Sequence, residues 1–222
     1  MNILLIGGGG REHALAWCLG RSRRVDTIFC TPGNAGIFQR CRPVAIPPED
    51  FRGLAAFAKK NAVQLTVVGP EAPLCAGIVN EFHNQGLRIF GPDAHGAQLE
   101  GSKSFAKNFM RSCGIPTAAA ETFSDLNKAL AYLRAQGPPL VVKADGLAAG
   151  KGVAVCRTLP EAEQAVRNAL ERNIFGAAGA TVLIEELLLG EEASILAVTD
   201  GKTIRALEPS QDHKCVFDND TG

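Results

Sequence analysis

The stretch Leu140-Val141-Val142-Lys143-Ala144-Asp145-Gly146-Leu147-Ala148-Ala149-Gly150-Lys151-Gly152-Val153-Ala154-Val155 sets two short apolar, β-branched runs on either side of a loop with glycines at 146, 150 and 152. This reads as a β-hairpin with a long, mobile tip. Small residues let backbone N–H groups approach phosphate oxygens, and Lys143 on the incoming strand and Lys151 in the loop supply point charges. A plain glycine-rich surface hairpin would have no need of two lysines bracketing its loop. The loop is not a Walker A motif: it lacks the spacing and the Ser/Thr after lysine, and a strand follows instead of a helix. The expectation is a nucleotide held under a flap.

Around this hairpin the pattern is α+β. Upstream, Gln98-Leu99-Glu100-Gly101-Ser102-Lys103 precedes a helix over 104–112, and Gly114-Ile115-Pro116 punctuates the chain before a strand over 118–123 and a helix over 126–136. Downstream come a helix over 160–173 and a strand over 181–185 that ends in Glu185-Glu186. Beyond Leu187-Leu188-Leu189-Gly190-Glu191-Glu192, alternating segments over 194–199 and 203–207 turn at Asp200-Gly201. Acids at a strand end facing a flap suit an adenine amine and ribose hydroxyls, although a run such as Glu191-Glu192 also reads as a solvated turn.

The first hundred residues differ. A buried strand over 2–7, the turn Gly7-Gly8-Gly9-Gly10 and a helix over 11–19 open a strand–helix alternation. It continues with strands over 25–30, 64–69 and 87–91 and helices over 51–60 and 74–84. Such alternation predicts a doubly wound parallel sheet, whose ligands sit outside the carboxyl ends of its strands. Three turns fall there (Gly7 to Glu12, Thr31 to Gly36, Gly69 to Pro73), so Arg11, Glu12, Asn34 and Glu71 are expected around one crevice. Asn34 has a plainer reading too, as a residue that tolerates a left-handed turn. A nicotinamide site is disfavoured: Glu12 stands where G-x-G-x-x-G needs its third glycine, and no acid ends the second strand. A phosphate on Arg11 and the amides of Gly8, Gly9 and Gly10 fits better.

Composition narrows the classes. Of 222 residues, 46% are hydrophobic, ample for real cores, and 23 basic side chains balance 23 acidic ones, which leaves no general electrostatic footprint for nucleic acid or anionic membrane. Met1-Asn2-Ile3-Leu4-Leu5-Ile6 reads straight into a strand with no basic n-region, and there is no run of about 18 uncharged apolar residues. A cytoplasmic protein is expected. Seven scattered cysteines without a C-x-x-C pair argue against a disulfide framework and a zinc knuckle, and most are expected to be buried.

Taken together, these segments resemble the ATP-grasp superfamily and, within it, the phosphoribosylamine–glycine ligases. The resemblance rests on Gly8-Gly9-Gly10-Arg11-Glu12-His13-Ala14, Pro32-Gly33-Asn34-Ala35-Gly36, Val68-Gly69-Pro70-Glu71-Ala72-Pro73-Leu74 and Gln98-Leu99-Glu100-Gly101-Ser102-Lys103. It continues through the 143–153 hairpin, Glu185-Glu186 with Gly190-Glu191-Glu192-Ala193-Ser194, and Ser210-Gln211-Asp212-His213-Lys214. It implies a doubly wound parallel sheet over 1–101, an ATP-grasp subdomain with the flap over 102–190, and the start of the second ATP-grasp half over 191–222.

The resemblance also implies roles. Lys103, Lys143 and Lys151, with Gly146, Ala149, Gly150 and Gly152 of the flap, would meet ATP phosphates. Glu185, Glu186 and Leu188 would hold adenine and Glu192 the ribose. Phosphoribosylamine would lie among Gly8, Gly9, Gly10, Arg11, Glu12, Asn34, Glu71 and Pro73, with Asp212, His213 and Lys214 completing the substrate region. Lys143, Lys151, Asp212 and Lys214 are the implied catalytic group. The implied partners are ATP, glycine and phosphoribosylamine, and no nucleic acid or membrane; the complete form is expected to be a monomer. Two departures stand out. Cys215 replaces an arginine of the family pattern, and the acidic and asparagine ligands for Mg²⁺ or Mn²⁺ belong to a half expected beyond Gly222, so this chain reads as the N-terminal part of a longer protein or a truncated relative. The competing expectations are a non-catalytic nucleotide-binding module and another ATP-grasp carboxylate–amine ligase.

Overall fold

A computed structural model describes residues 1–148, 150–211 and 217. The chain forms two compact units, Met1–Glu186 and Leu187–Gly222.

In the first unit, β1 (Asn2–Gly7), β2 (Thr27–Pro32), β3 (Arg42–Pro43), β4 (Val63–Val68) and β5 (Ile89–Phe90) form a parallel sheet in the order β3-β2-β1-β4-β5. Strand alternation sends Leu4 and Ile6 to one face and Ile3 and Leu5 to the other, and both faces are covered. Leu4 and Ile6 pack with Leu54, Ile78 and Phe82 from α2 (Phe51–Lys60) and the later helix over 78–84. Ile3 and Leu5 pack with Ala16 of α1 (Gly10–Gly20), Ile28 and Ile37. Burial on both faces is why β1 reads as one continuous apolar run. Asp50 caps α2, its carboxylate accepting from the Gly53 amide at 2.9 Å.

The helix expected over 74–84 is two helices, α3 (Glu71–Cys75) and α4 (Ile78–Asn84). Gly77 between them has φ 91°, a left-handed conformation that a helix cannot continue through. The edge strand β3 is two residues long and contains a proline, too short to carry a period.

Next come α5 (Gln98–Gly101) and α6 (Lys103–Ser112). A second sheet, antiparallel in the order β6-β9-β7-β8, is built from β6 (Ala120–Phe123), β7 (Leu140–Ala144), β8 (Val153–Cys156) and β9 (Val182–Glu186). The helices α7 (Leu126–Gln136) and α8 (Leu159–Leu170) cover one face through Ala129, Leu130, Leu133, Ala162 and Val166, against Leu140, Val142, Cys156, Val182 and Ile184. Asp125 caps α7, and Thr158 with Glu161 forms a capping box on α8. The register sets Val141, Lys143, Leu183 and Glu185 on the opposite face with Val153 and Val155, both exposed. No helix among the described residues is long and apolar enough to cross a membrane.

The second unit contains a hairpin, β10 (Ala197–Thr199) and β11 (Ile204–Ala206), turned where the Asp200 carboxylate accepts from the amides of Lys202 and Thr203. Ser194 and Ser210 bridge its base.

Cys30, Cys41 and Cys156 are buried, and Cys18 and Cys113 are exposed. Burial pushes the Cys30 thiol up to about 12, so it behaves as a small hydrophobe.

Leu133 is fully buried at the centre of the α7–α8 layer. Leu133→Ala should destabilise the chain by about 2–5 kcal/mol in urea unfolding; a loss near zero would show that this layer is not packed as described.

Candidate active site

The first glycine turn and the turn after β2 meet at the carboxyl ends of the parallel strands. Asn34 Nδ2 donates to Gly8 O at 2.7 Å, and its Oδ1 accepts from the Ile37 amide at 3.0 Å. The left-handed residue of that turn is Gly33, with φ 64°, so Asn34 clamps two turns together and is not there for its conformation. Gly8 approaches Gly33 so closely that a Cβ on it would lie 2.6 Å from the Gly33 carbonyl oxygen. The third turn joins through Arg11, whose Nη1 donates to Glu71 Oε1 at 2.8 Å and Nη2 to Oε2 at 3.3 Å. That hydrogen bond holds the Glu71 carboxyl below the ordinary glutamate range.

Glu12 takes a different position from its neighbours. It is only 3% exposed, beneath the turn, and its Oε2 accepts from the Gly9 amide at 2.6 Å. The missing side chain of Gly69 leaves the space its carboxylate fills. Pro73 is buried within α3. Of the eight residues expected around phosphoribosylamine, Gly8, Gly9, Gly10, Arg11, Asn34 and Glu71 gather at the strand ends, while Glu12 and Pro73 lie under the surface.

The β7–β8 hairpin carries the flap at its tip. Its base is fixed by Ala144 N to Gly152 O at 2.7 Å, Gly146 N to Ala178 O at 3.1 Å and Asp145 N to Thr181 O at 3.0 Å. Asp145 also docks the start of α6, accepting from the Ser104 amide at 2.6 Å and Ser102 Oγ at 3.0 Å, where the helix dipole favours an anion. Lys103 Nζ donates to the carbonyls of Ala144 at 2.8 Å, Gly146 at 3.0 Å and Asp145 at 3.3 Å. Burial lowers the Lys103 pKa. A cleft of about 420 Å³ unites the two regions, with Glu71 and Glu100 on one wall and Lys103, Leu147, Gly150 and Val153 on the other.

On the sheet face opposite α7 and α8, Glu185 is 6% exposed and ion-paired on both oxygens. Oε1 meets Lys143 Nζ, and Oε2 lies 2.9 Å from Lys107 Nζ. Burial opposes its ionisation, yet the ammonium groups of Lys143 and Lys107 hold its pKa below the ordinary glutamate value. Lys107 was not legible as a site residue; its position in α6 looks like any charged helix position. The neighbouring Glu186 accepts from the Ala119 amide at 2.8 Å.

Lys151 is exposed and borders a second cavity, of about 640 Å³, on the α8 side of the hairpin with Val142, Ala165 and Phe175. Lys151 does not line the cleft that Lys103 lines, although Ala148, Gly152 and Val153 line both cavities. Leu188 and Glu192 belong to the second unit, and Leu188 is exposed. Ala149, Asp212, His213, Lys214 and Cys215 lie outside the described residues. Among the described residues no three His, Cys, Asp or Glu side chains come together as a metal cluster.

A parallel α/β sheet, followed by an antiparallel sheet with a lysine on the strand entering a glycine flap, defines an ATP-grasp protein. Residues 1–100 match the family described as "Phosphoribosylglycinamide synthetase, N domain", and residues 101–222 match "Phosphoribosylglycinamide synthetase, ATP-grasp (A) domain". The chain belongs to this phosphoribosylglycinamide synthetase family. It is 58% identical to a phosphoribosylamine–glycine ligase of Xanthomonas axonopodis pv. citri (strain 306) and 55% identical to one of Vibrio vulnificus (strain YJ016), in each case over 100% of this chain and 52% of the relative. The crystal structure of phosphoribosylamine–glycine ligase from Thermotoga maritima superposes with a TM-score of 0.76 at 30% identity, over 100% of this chain and 53% of that one. The chain thus spans about half the length of the relatives it matches.

Gly8→Ala should cost about 1–3 kcal/mol in urea unfolding, because the Gly33 carbonyl must move. Gly10→Ala, with open space around it in the first position of α1, should be neutral or stabilising by up to about 1 kcal/mol. Equal effects would contradict the close meeting of the two turns.

Proposed function

We propose that this chain forms the substrate-binding and nucleotide-lid part of an ATP-dependent ligase that joins glycine to 5-phosphoribosylamine, giving N1-(5-phosphoribosyl)glycinamide, ADP and phosphate through glycyl phosphate. The observation that carries the reading is Lys143, held by a buried carboxylate on the strand that enters the flap, the flap itself lining a cleft with Lys103 and the Pro70–Ala72 turn. Residues 1–101 act as the substrate domain, 102–190 as the nucleotide-binding subdomain and 191–222 as the start of the second half.

The chemistry follows from positions. The amides of Gly8 and Gly10 and the guanidinium of Arg11 receive the sugar phosphate at the α1 N-terminus, the Gly9 amide being taken by Glu12 beneath the turn, and Glu71 orients Arg11. Lys103 and Lys143 neutralise nucleotide phosphates, and the flap from Gly146 to Gly152 excludes water from the acyl phosphate. Glu186, Leu188 and Glu192 serve adenine and ribose, Glu185 acts through Lys143, which it holds, and Asp212, His213 and Lys214 complete the acceptor site. The amine of phosphoribosylamine attacks the glycyl carbonyl, the new C–N bond forms, and phosphate leaves with the acyl C–O bonding pair; no protein nucleophile takes part. A divalent cation, Mg²⁺ or Mn²⁺, supplies further charge neutralisation in phosphoryl transfer, and we assign it no ligand among the described residues.

Lys151 lines the other cavity, which supports a contribution that comes with flap closure. Calorimetric titration with ATP should show Lys143→Ala weakening binding tenfold to hundredfold, about 1.5–3 kcal/mol, and Lys151→Ala changing it less than about threefold. Equal losses would make Lys151 part of a static phosphate cradle. In a protein of the relatives' full length, ADP should appear only when glycine and phosphoribosylamine are both supplied; ADP with another acid or amine and none with these two would overturn the reaction.

A further inference from the structure

Lys107 is a buried charge that no step above employs. It is 8% exposed, in the middle of α6, and its ammonium is held by Thr117 Oγ1 at 2.8 Å, Ala118 O at 2.9 Å and Glu185 Oε2 at 2.9 Å. The same carboxylate holds Lys143 with its other oxygen. Lysine is seldom buried without a reason, since desolvating an ammonium is costly unless it is paired. Its two oxygen partners on the 117–118 segment are uncharged, and either could be served by water or a hydroxyl. The carboxylate is the partner that calls for a full positive charge.

The charges around Glu185 set the argument. Lys107 faces it from α6 and Lys143 from β7. Arg111, one turn beyond Lys107, donates to the Ala120 carbonyl, and the Glu186 side chain is engaged by the Ala119 amide. With Glu185 and Lys143 alone, the pair would be neutral, and the lysine meant for phosphate would be cancelled by the group that positions it. With Lys107 the cluster carries a net charge of +1, and Glu185 gives each lysine one oxygen.

We infer that Lys107 is a positioning residue: its buried ammonium neutralises Glu185, so that Glu185 fixes Lys143 in place without cancelling the positive charge Lys143 presents to nucleotide phosphates. This rests on the nucleotide reading above and adds to it a residue that touches neither nucleotide nor substrate. One uncompensated charge near the phosphates in a partly buried site changes affinity by roughly tenfold.

The experiment titrates the chain with ATP at neutral pH in three forms: unchanged, Lys107→Met, and Lys107→Met combined with Glu185→Gln. Circular dichroism and the melting temperature of each report whether it is folded. Lys107→Met should bind ATP roughly tenfold more weakly, and the double variant, which restores the net charge, should recover most of that loss. A lysine needed only for packing gives a different result: the double variant, with one more buried group altered, binds no better than the single one. That outcome, or a Lys107→Met that binds as the unchanged chain does, overturns the inference.

A second readout needs no nucleotide. Carbon-13 NMR of labelled glutamate follows the Glu185 carboxyl directly. Its pKa is held down by two ammoniums, so removing one should move its titration upward; the charge that fixes Lys143 is then lost at a higher pH as the solution is acidified. An unmoved titration overturns the inference even where ATP binds. If ATP fails to bind the unchanged chain while Glu185 moves as expected, the nucleotide reading has failed and the charge-sharing arrangement stands.

Discussion

A carboxylate cannot be taken out of water without partners, and Glu185 is almost wholly out of water. Its two ammonium partners come from different elements: Lys143 from β7, its neighbour in the sheet, and Lys107 from α6, which packs from outside the sheet. The pairing therefore does more than hold one side chain. It is consistent only with the register in which Val141 opposes Glu185, since a slip of one residue would turn Lys143 into the apolar layer under α7 and α8. It also brings α6 against the sheet, and α6 begins where Ser102, Lys103 and Ser104 grip Asp145 and the flap's first carbonyls. Lys143 and the base of the glycine hairpin are thus tied to one buried charge cluster.

The N-terminal sheet uses a buried acid in a related way. Glu12 lies under the glycine turn, receives the Gly9 amide and occupies the space that Gly69 leaves empty. In both places a carboxylate below the surface shapes the groups above it, which is how a small site stays in position before any ligand arrives. Arg11 and Glu71 do the corresponding work at the rim, where both remain partly in water and their pairing contributes little to stability.

Much of this was legible in the sequence because local periodicity and glycine placement report directly on backbone. The strand over 2–7, the helices over 51–60 and 126–136 and the flap hairpin read correctly from a few residues each. The break at Gly77 was missed because one glycine in an apolar helical period is usually tolerated, and β3 because two residues carry no pattern. The candidate site was less legible. Glu12 and Glu71 are both acids beside a glycine turn, and only the fold shows that one goes under and the other outward. Lys107 and Lys103 share a helix and a residue type, yet one reaches the flap and the other a buried carboxylate distant in sequence. Partner choice of this kind is set by tertiary packing, to which neither spacing nor composition gives access. The side of the hairpin on which Lys151 lies is likewise a matter of loop conformation.

The account's central claim is a fixed cationic floor beneath a moving glycine lid. Hydrogen exchange of individual amides, with and without ATP, measures it most directly. The amides of Val141, Val142 and Lys143 on β7 should exchange slowly in both states, whereas those of Leu147, Gly150 and Lys151 should exchange fast without nucleotide and slow when ATP is added. Lid amides equally protected in both states, or β7 amides that open together with the lid, would contradict it.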